Sequence, residues 1–146
     1  MTPTPRHSVS VAAVVVNDQG QALVIQRRDN AKWEPPGGVL ELHESIEEGL
    51  VREVQEETGL VVESVHLTGV YKNMERGIVA LVFRCRSRVG ELQSTTEASR
   101  VQWVNREQIP QLMDEAYAVR VLDALDDGFP RIRSHDGVAL RDSLRS

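Results

Sequence analysis

A chain of 146 residues with 40% apolar and 27% charged side chains has room for one sizeable core and a globular composition, which excludes wholesale disorder and collagen-like repeats. Seventeen Lys and Arg against 22 Asp and Glu give a net charge of -5, and no basic run could track a polynucleotide backbone, so no nucleic-acid polymer is expected as a partner. The single cysteine, Cys85, excludes an internal disulfide and a paired-thiolate zinc site, and points to a reducing compartment.

Residues 1–6 (MTPTPR) read as a frayed end, because Pro3 and Pro5 lack amide donors; residues 1–7 are expected to be peripheral. Residues 9–16 form a β-branched and alanine run too continuous for simple alternation, which suits a strand covered on both faces. Its most apolar part, 11–16, is far short of the ~20 residues that span a bilayer, and no leader pattern opens the chain. A cytoplasmic protein without a membrane partner is expected. The turn Asn17-Asp18-Gln19-Gly20 follows, with 22–26 expected as the hairpin partner, and 27–36 is expected to be a loop delivering Gly37 and Gly38.

A helix is predicted over 45–58, opened by a Ser45/Glu48 capping box and ended by Gly59. Residues 61–71, 78–86 and 100–104 are predicted strands, with turns at Gly77 and Gly90. A short helical turn is expected at 108–113. An amphipathic helix is expected at 116–125, with Val119, Leu122 and Leu125 at helical spacing, and it closes either the core or a homodimer. The arginine-spotted segment 131–146, with an Asp136-Gly137 turn, is expected to be peripheral. Helices interspersed among strands suggest an α/β layered fold in a single domain over 1–146.

The 45–58 helix breaks a patterning rule. With Glu53 at zero on a wheel turning ~100° per residue, Glu56 falls near ~300° and Glu57 near ~40°, while Ile46, Leu50 and Val54 lie near ~20°, ~60° and ~100°. The acids therefore overlap the apolar stripe that should face the core. A glutamate run is ordinarily a solvated face. Here like charges at i,i+3 and i,i+4 repel, more so as water is excluded, and a hard divalent cation relieves that repulsion. Gly37-Gly38 allow close backbone approach by a ligand, and Arg27, Arg28 and Lys32 put cations just upstream to meet phosphate oxygens. Gly49, near ~320°, costs ~1 kcal/mol in a helix and makes room for a neighbouring loop or for ligand.

Gly38, Glu44, Arg52, Glu53, Val54, Glu56, Glu57, Gly59 and Leu60 resemble a complete Nudix box, with five residues (39–43) before the first glutamate and seven (45–51) before the arginine. The resemblance implies a mixed β-sheet sandwiched between helices. It also implies that Glu53, Glu56 and Glu57 bind Mg²⁺, for which Mn²⁺ substitutes, that the Gly38 carbonyl is a further ligand, and that Arg52 orients the acids. Glu44 would support the rim, and Glu97, preceding the strand with Trp103, matches a further metal-binding and catalytic glutamate outside the box. His43 stands where relatives often carry glycine and is read as an exposed loop residue. Trp33, beside the glycine loop, is a candidate substrate contact with Arg27, Arg28, Gly37 and Gly38.

The implied chemistry is hydrolysis of a nucleoside diphosphate linked to another group, with no serine, cysteine or histidine nucleophile. Cys85 reads as structural. The short chain leans toward a MutT-like hydrolase of nucleoside triphosphates. An ADP-ribose or nucleotide-sugar pyrophosphatase is the close alternative, and a non-catalytic nucleotide-sensing module of the same fold is the alternative of another class. The expected partner is a small nucleotide, and a monomer or homodimer is expected.

Overall fold

β1 (Ser8–Val15) carries the centre of the molecule, and its residues sort themselves by alternation. Val11, Ala13 and Val15 join Leu50, Val54, Val62 and Cys85 in one apolar cluster, while Ala12 and Val14 join Tyr71, Val82, Val121 and Ala124 in another. A strand buried on both faces requires this continuous apolar run. The computed structural model describes residues 3–93 and 98–141.

The elements following β1 are β2 (Ala22–Arg27), β3 (Trp33–Glu34), β4 (Gly37–Val39), α1 (Ile46–Thr58), β5 (Val61–Asn73), β6 (Ile78–Val89), β7 (Ala98–Val104), a 3₁₀ turn (Arg106–Gln108), α2 (Ile109–Leu112), α3 (Glu115–Leu125), β8 (Arg131–His135) and β9 (Leu140–Arg141). One sheet has the order β4-β1-β6-β5-β8-β9, with β1·β6 and β5·β8 parallel, and a second has β3-β2-β7. The first cluster contains α1 residues and the second α3 residues, so the helices cover opposite sides of the mixed sheet. Among the described residues no helix is long and apolar enough to cross a membrane.

Three expectations need correction. β1 and β2 meet only at the bridge Val16↔Ala22 rather than as a full hairpin, because both edges of β1 are taken by β4 and β6. β2 instead pairs with β7 and β3, so part of the expected 27–36 loop is a short hairpin, Ile25 facing Glu34 and Gln26 facing Trp33. The segment expected to be peripheral after residue 130 supplies β8, which occupies the free edge of β5 and ends in fully buried His135. Residues 142–146 lie outside the described residues.

Both helices also bury a different set than their apolar spacing suggests. In α1, Leu50 and Val54 are fully buried but Ile46 is 42% exposed in the first turn. In α3 the buried set is Ala116, Ala118, Val121 and Ala124 with Arg120 and Asp123, whereas Val119, Leu122 and Leu125 are only partly covered. Small alanines bring α3 close to the sheet, where the buried Asp123 finds partners. Tyr71 Oη donates to Asp123 Oδ2 at 2.7 Å, and the Arg133 fork donates to both Asp123 oxygens at 2.7 and 2.8 Å. Together these bonds tie α3 to β5 and β8.

Candidate functional site

The site is assembled where α1 lies along β4. Ser45 caps the helix by accepting from the Glu48 amide at 3.2 Å. Gly59, with φ 81°, closes the other end through its N–H on the Gln55 carbonyl at 2.9 Å, a left-handed conformation in which glycine carries no side-chain penalty. Between these caps the acids divide. Glu53 and Glu57 are 8% and 3% exposed, sharing the core-facing side with Leu50 and Val54, while Glu56 stands at the open edge.

β4 can approach buried carboxylates because it opens with two glycines. The Gly37 N–H donates to Glu57 Oε1 at 2.9 Å. At Gly38 a β-carbon would lie 2.5 Å from the Glu53 carboxyl, so only a bare backbone fits. A β-carbon on Gly37 would instead overlap the Val11 carbonyl and Ala12 on β1.

Arg52 is the hub. Its Nε and Nη2 donate to the two Glu44 oxygens at 3.0 and 2.7 Å, its Nη1 to Glu53 at 3.0 Å and to Glu56 at 3.2 Å, and its Nη2 also to the Val39 carbonyl at 3.4 Å. One planar fork thus fixes two acids, the rim glutamate and the end of β4, a geometry that lysine cannot reproduce. The Arg52 guanidinium, helped by the Glu41 amide at 2.9 Å, holds the Glu44 carboxyl down at about 2; Glu44 in turn pushes Arg52 above its ordinary range. Gly49 serves this loop: a β-carbon there would meet Leu40 at 2.5 Å and the Glu44 carboxylate at 2.8 Å.

The upstream cations are placed differently. All three Arg27 guanidinium nitrogens hold carboxylates, Asp29 at 2.9 and 2.8 Å and Glu34 at 3.1 Å, so Arg27 braces the β2–β3 hairpin instead of facing phosphate. Arg28 is in the exposed turn, and Lys32 pairs with Asp114 at 3.3 Å. Trp33 is half-buried against the α3-side cluster, with the Arg100 guanidinium 5.7 Å from its ring centre. His43 is exposed in the loop before α1. Glu97 lies outside the described residues, and among the described residues no three His, Cys, Asp or Glu side chains stand close enough to form a ready-made metal cage. The donor set of carboxylates and a backbone carbonyl is nevertheless all hard oxygen, and the Gly38 cradle leaves Glu53 open to backbone approach. Both suit Mg²⁺.

The sequence profile of the NUDIX domain matches residues 6–125. The chain belongs to the NUDIX family. As a Nudix hydrolase it acts on phosphoric anhydrides. A "MutT-like protein" of Streptomyces ambofaciens is 55% identical over 136 residues, spanning 93% of this chain and 88% of the relative. An "ADP-ribose pyrophosphatase" of Methanocaldococcus jannaschii is 31% identical over 112 residues, 72% of this chain and 66% of that protein. Among solved structures, a MutT protein from Methanosarcina mazei Go1 superposes with a TM-score of 0.71 at 27% identity, covering 83% of this chain and 94% of the other.

Sequence reasoning did not single out Arg120, which α3 buries against the rings of Tyr117 and Tyr71. The local signal was a charged residue, Arg120, flanked by Val119 and Val121.

Proposed function

We propose that this Nudix hydrolase is a Mg²⁺-dependent pyrophosphohydrolase of nucleoside triphosphates, with Mn²⁺ able to replace Mg²⁺. The observation that carries the reading is the bare backbone of Gly37 and Gly38 laid against the buried acids Glu57 and Glu53, which sets backbone and carboxylate oxygens side by side for a hard cation. Glu53, Glu56, Glu57 and the Gly38 carbonyl would hold the ion, and Glu97 is the candidate for a further ligand. When bound, the metal neutralises charge developing on the bridging phosphate oxygens.

The chain's own residues supply the rest. Arg52 keeps Glu53 and Glu56 in orientation through its fork, so the acids meet the substrate without searching rotamers. A glutamate of the set takes the proton from the attacking water as its oxygen joins phosphorus, and the bridging P–O bond breaks. The degree of identity to the Streptomyces MutT-like protein supports the triphosphate reading, while the similarity to the Methanocaldococcus protein keeps ADP-ribose as the second candidate substrate. A purely nucleotide-sensing role is disfavoured because Gly38, Arg52, Glu53, Glu56 and Glu57 are all present.

The test is a panel of nucleoside triphosphates, ADP-ribose, nucleotide sugars and dinucleoside polyphosphates, with release of phosphate and pyrophosphate followed in Mg²⁺ and Mn²⁺. Calorimetric titration of both ions into wild type and Glu56→Gln accompanies it. Pyrophosphate release from triphosphates, with weakened metal binding in the variant, is expected; negligible metal binding in both proteins would leave the acids as scaffold.

A further inference from the structure

Residues 131–141 lie beyond the stretch matched by the NUDIX profile, and they are pinned to α3. The Arg133 fork on Asp123 holds the start of β8. Further on, the Leu140 amide donates to Glu115 Oε1 at 2.7 Å. The Ala116 amide, in the first helical turn where no carbonyl of the helix can reach it, donates to the Val138 carbonyl at 2.9 Å. Between these contacts, and out of water, Arg120 Nη2 meets His135 Nε2 at 3.1 Å.

Both ring nitrogens of fully buried His135 face donors. Nδ1 accepts from the Gly137 amide at 2.9 Å, and Nε2 faces a guanidinium, which has no lone pair to offer. A neutral imidazole carries one lone pair and one N–H, so it accepts one of these bonds at a time. A second proton leaves it none to accept and sets a second cation against Arg120. That guanidinium is itself only 8% exposed, lies over the rings of Tyr117 at 4.7 Å and Tyr71 at 5.3 Å, and has no hydrogen-bond partner for its Nε among the described residues. Burial, and then Arg120, push the His135 ring below its ordinary 6.5.

The other charged and titratable groups around the ring do not offset this. On α3, the Tyr117 ring centre is 6.2 Å from that of His135. On β5, Tyr71 donates its proton to Asp123, and Lys72 alternates to the opposite face of the strand. Arg133, two residues before His135 on the same face, is neutralised by Asp123. In the following turn Asp136 favours a proton on the ring, but its Oδ1 already accepts from the Val138 and Ala139 amides at 2.9 Å each. On β9, Arg141 is drawn to Glu75 at 3.7 Å.

We propose that His135 is a proton-operated latch for the C-terminal end of the fold: its neutral ring holds residues 135–141 against α3, and a proton on the ring swings them out about Arg133. The pivot survives in acid because, despite burial, the Arg133 fork keeps the Asp123 carboxyl below its ordinary range. Opening withdraws the Val138 carbonyl from the first turn of α3 and uncovers the end of β5 at Asn73, which pairs with His135. The α1 acids, on the other side of the sheet, take no part.

The experiment follows amide hydrogen exchange by NMR on the full-length chain between pH 8 and pH 4.5, corrected for intrinsic rates, together with the titration of the His135 ring nitrogens. The probes are the Gly137, Ala116 and Met74 amides, the last of which donates to the His135 carbonyl at 2.8 Å, with the Gly59 amide at the end of α1 as reference. Because the open form takes up one proton that the closed form refuses, protection of the three probes is expected to be level above about 6.5 and to fall by up to about tenfold per pH unit below it. Gly59 is expected to stay protected, and the loss to reverse on return to pH 8. In His135→Gln, whose side chain does not titrate, protection of Ala116 and Met74 should not change with pH over this range. The same acid loss in that variant, or level protection in wild type, overturns the proposal. If His135→Gln does not fold, Arg120→Met decides: without the guanidinium the His135 ring is expected to titrate closer to 6.5 than in wild type. An unchanged midpoint overturns the proposal, as does a wild-type ring that titrates at its ordinary value.

Discussion

Gly38 lies against Glu53 so closely that a β-carbon on the glycine would sit 2.5 Å from the glutamate's carboxyl. The atom it would meet is the end of a side chain, so Gly38→Ala is expected to fold, with the Glu53 carboxylate displaced. Displacements on the order of 1 Å cost roughly a hundredfold in rate. Turnover in saturating Mg²⁺ should therefore drop about a hundredfold while the far-ultraviolet circular dichroism matches wild type; undiminished turnover would remove Glu53 from the site.

Glu57 has two duties that a pair of substitutions can separate. Glu57→Gln keeps an amide oxygen to accept from the Gly37 N–H, so its metal-free melting temperature is expected to lie within a few degrees of wild type while metal affinity and turnover fall. Glu57→Ala removes the acceptor as well, and leaving that donor unsatisfied costs about 1–3 kcal/mol. Chemical denaturation without metal compares the two, and equal stability would mean that the Gly37 bond holds nothing in place.

The Arg52–Glu44 link makes a pH prediction. The folded Glu44 carboxyl titrates at about 2 against an ordinary 4.5, so its stabilising contribution is complete above about 4.5 and is lost as pH falls toward about 2. Melting temperatures of wild type and Glu44→Gln should differ above that window and converge within it. A constant difference down to the acid limit would show that the pair is not the titrating element.

Cys85 offers a negative control. Burial pushes its thiol up to about 12, so hardly any thiolate exists near neutral pH, and the sulfur lies within the α1-side cluster. A thiol reagent at pH 8 should leave the folded protein unlabelled for hours and label it at once in denaturant. Rapid labelling of the folded state would mean that β6 opens locally, because Cys85 is fully buried within it.

The helix over 45–58 could be read with its caps because its signals are local: a serine, a glutamate three residues on, and a terminal glycine. The acids could be read too, since crowding on a wheel needs only helical periodicity. Which acid goes inside could not. Glu53 and Glu57 are buried because β4 meets them with two glycines, and β4's place depends on pairing with β1, where Val39 faces Ser10 and Gly37 faces Ala12. Ile46 reads as core on the same wheel, yet as the first residue of α1 it is 42% exposed.

By itself, the sequence determined the family box, the crowding of its acids on one helix and the two-faced burial of β1, all of which follow from residue spacing along one element. The tertiary structure decided everything that depends on which edge of a strand is vacant. β2 leaves β1 for a second sheet, β8 completes the first, and Arg120 comes to rest between two tyrosines. Edge occupancy is a competition among distant segments for hydrogen-bonding partners, and only the folded chain resolves it.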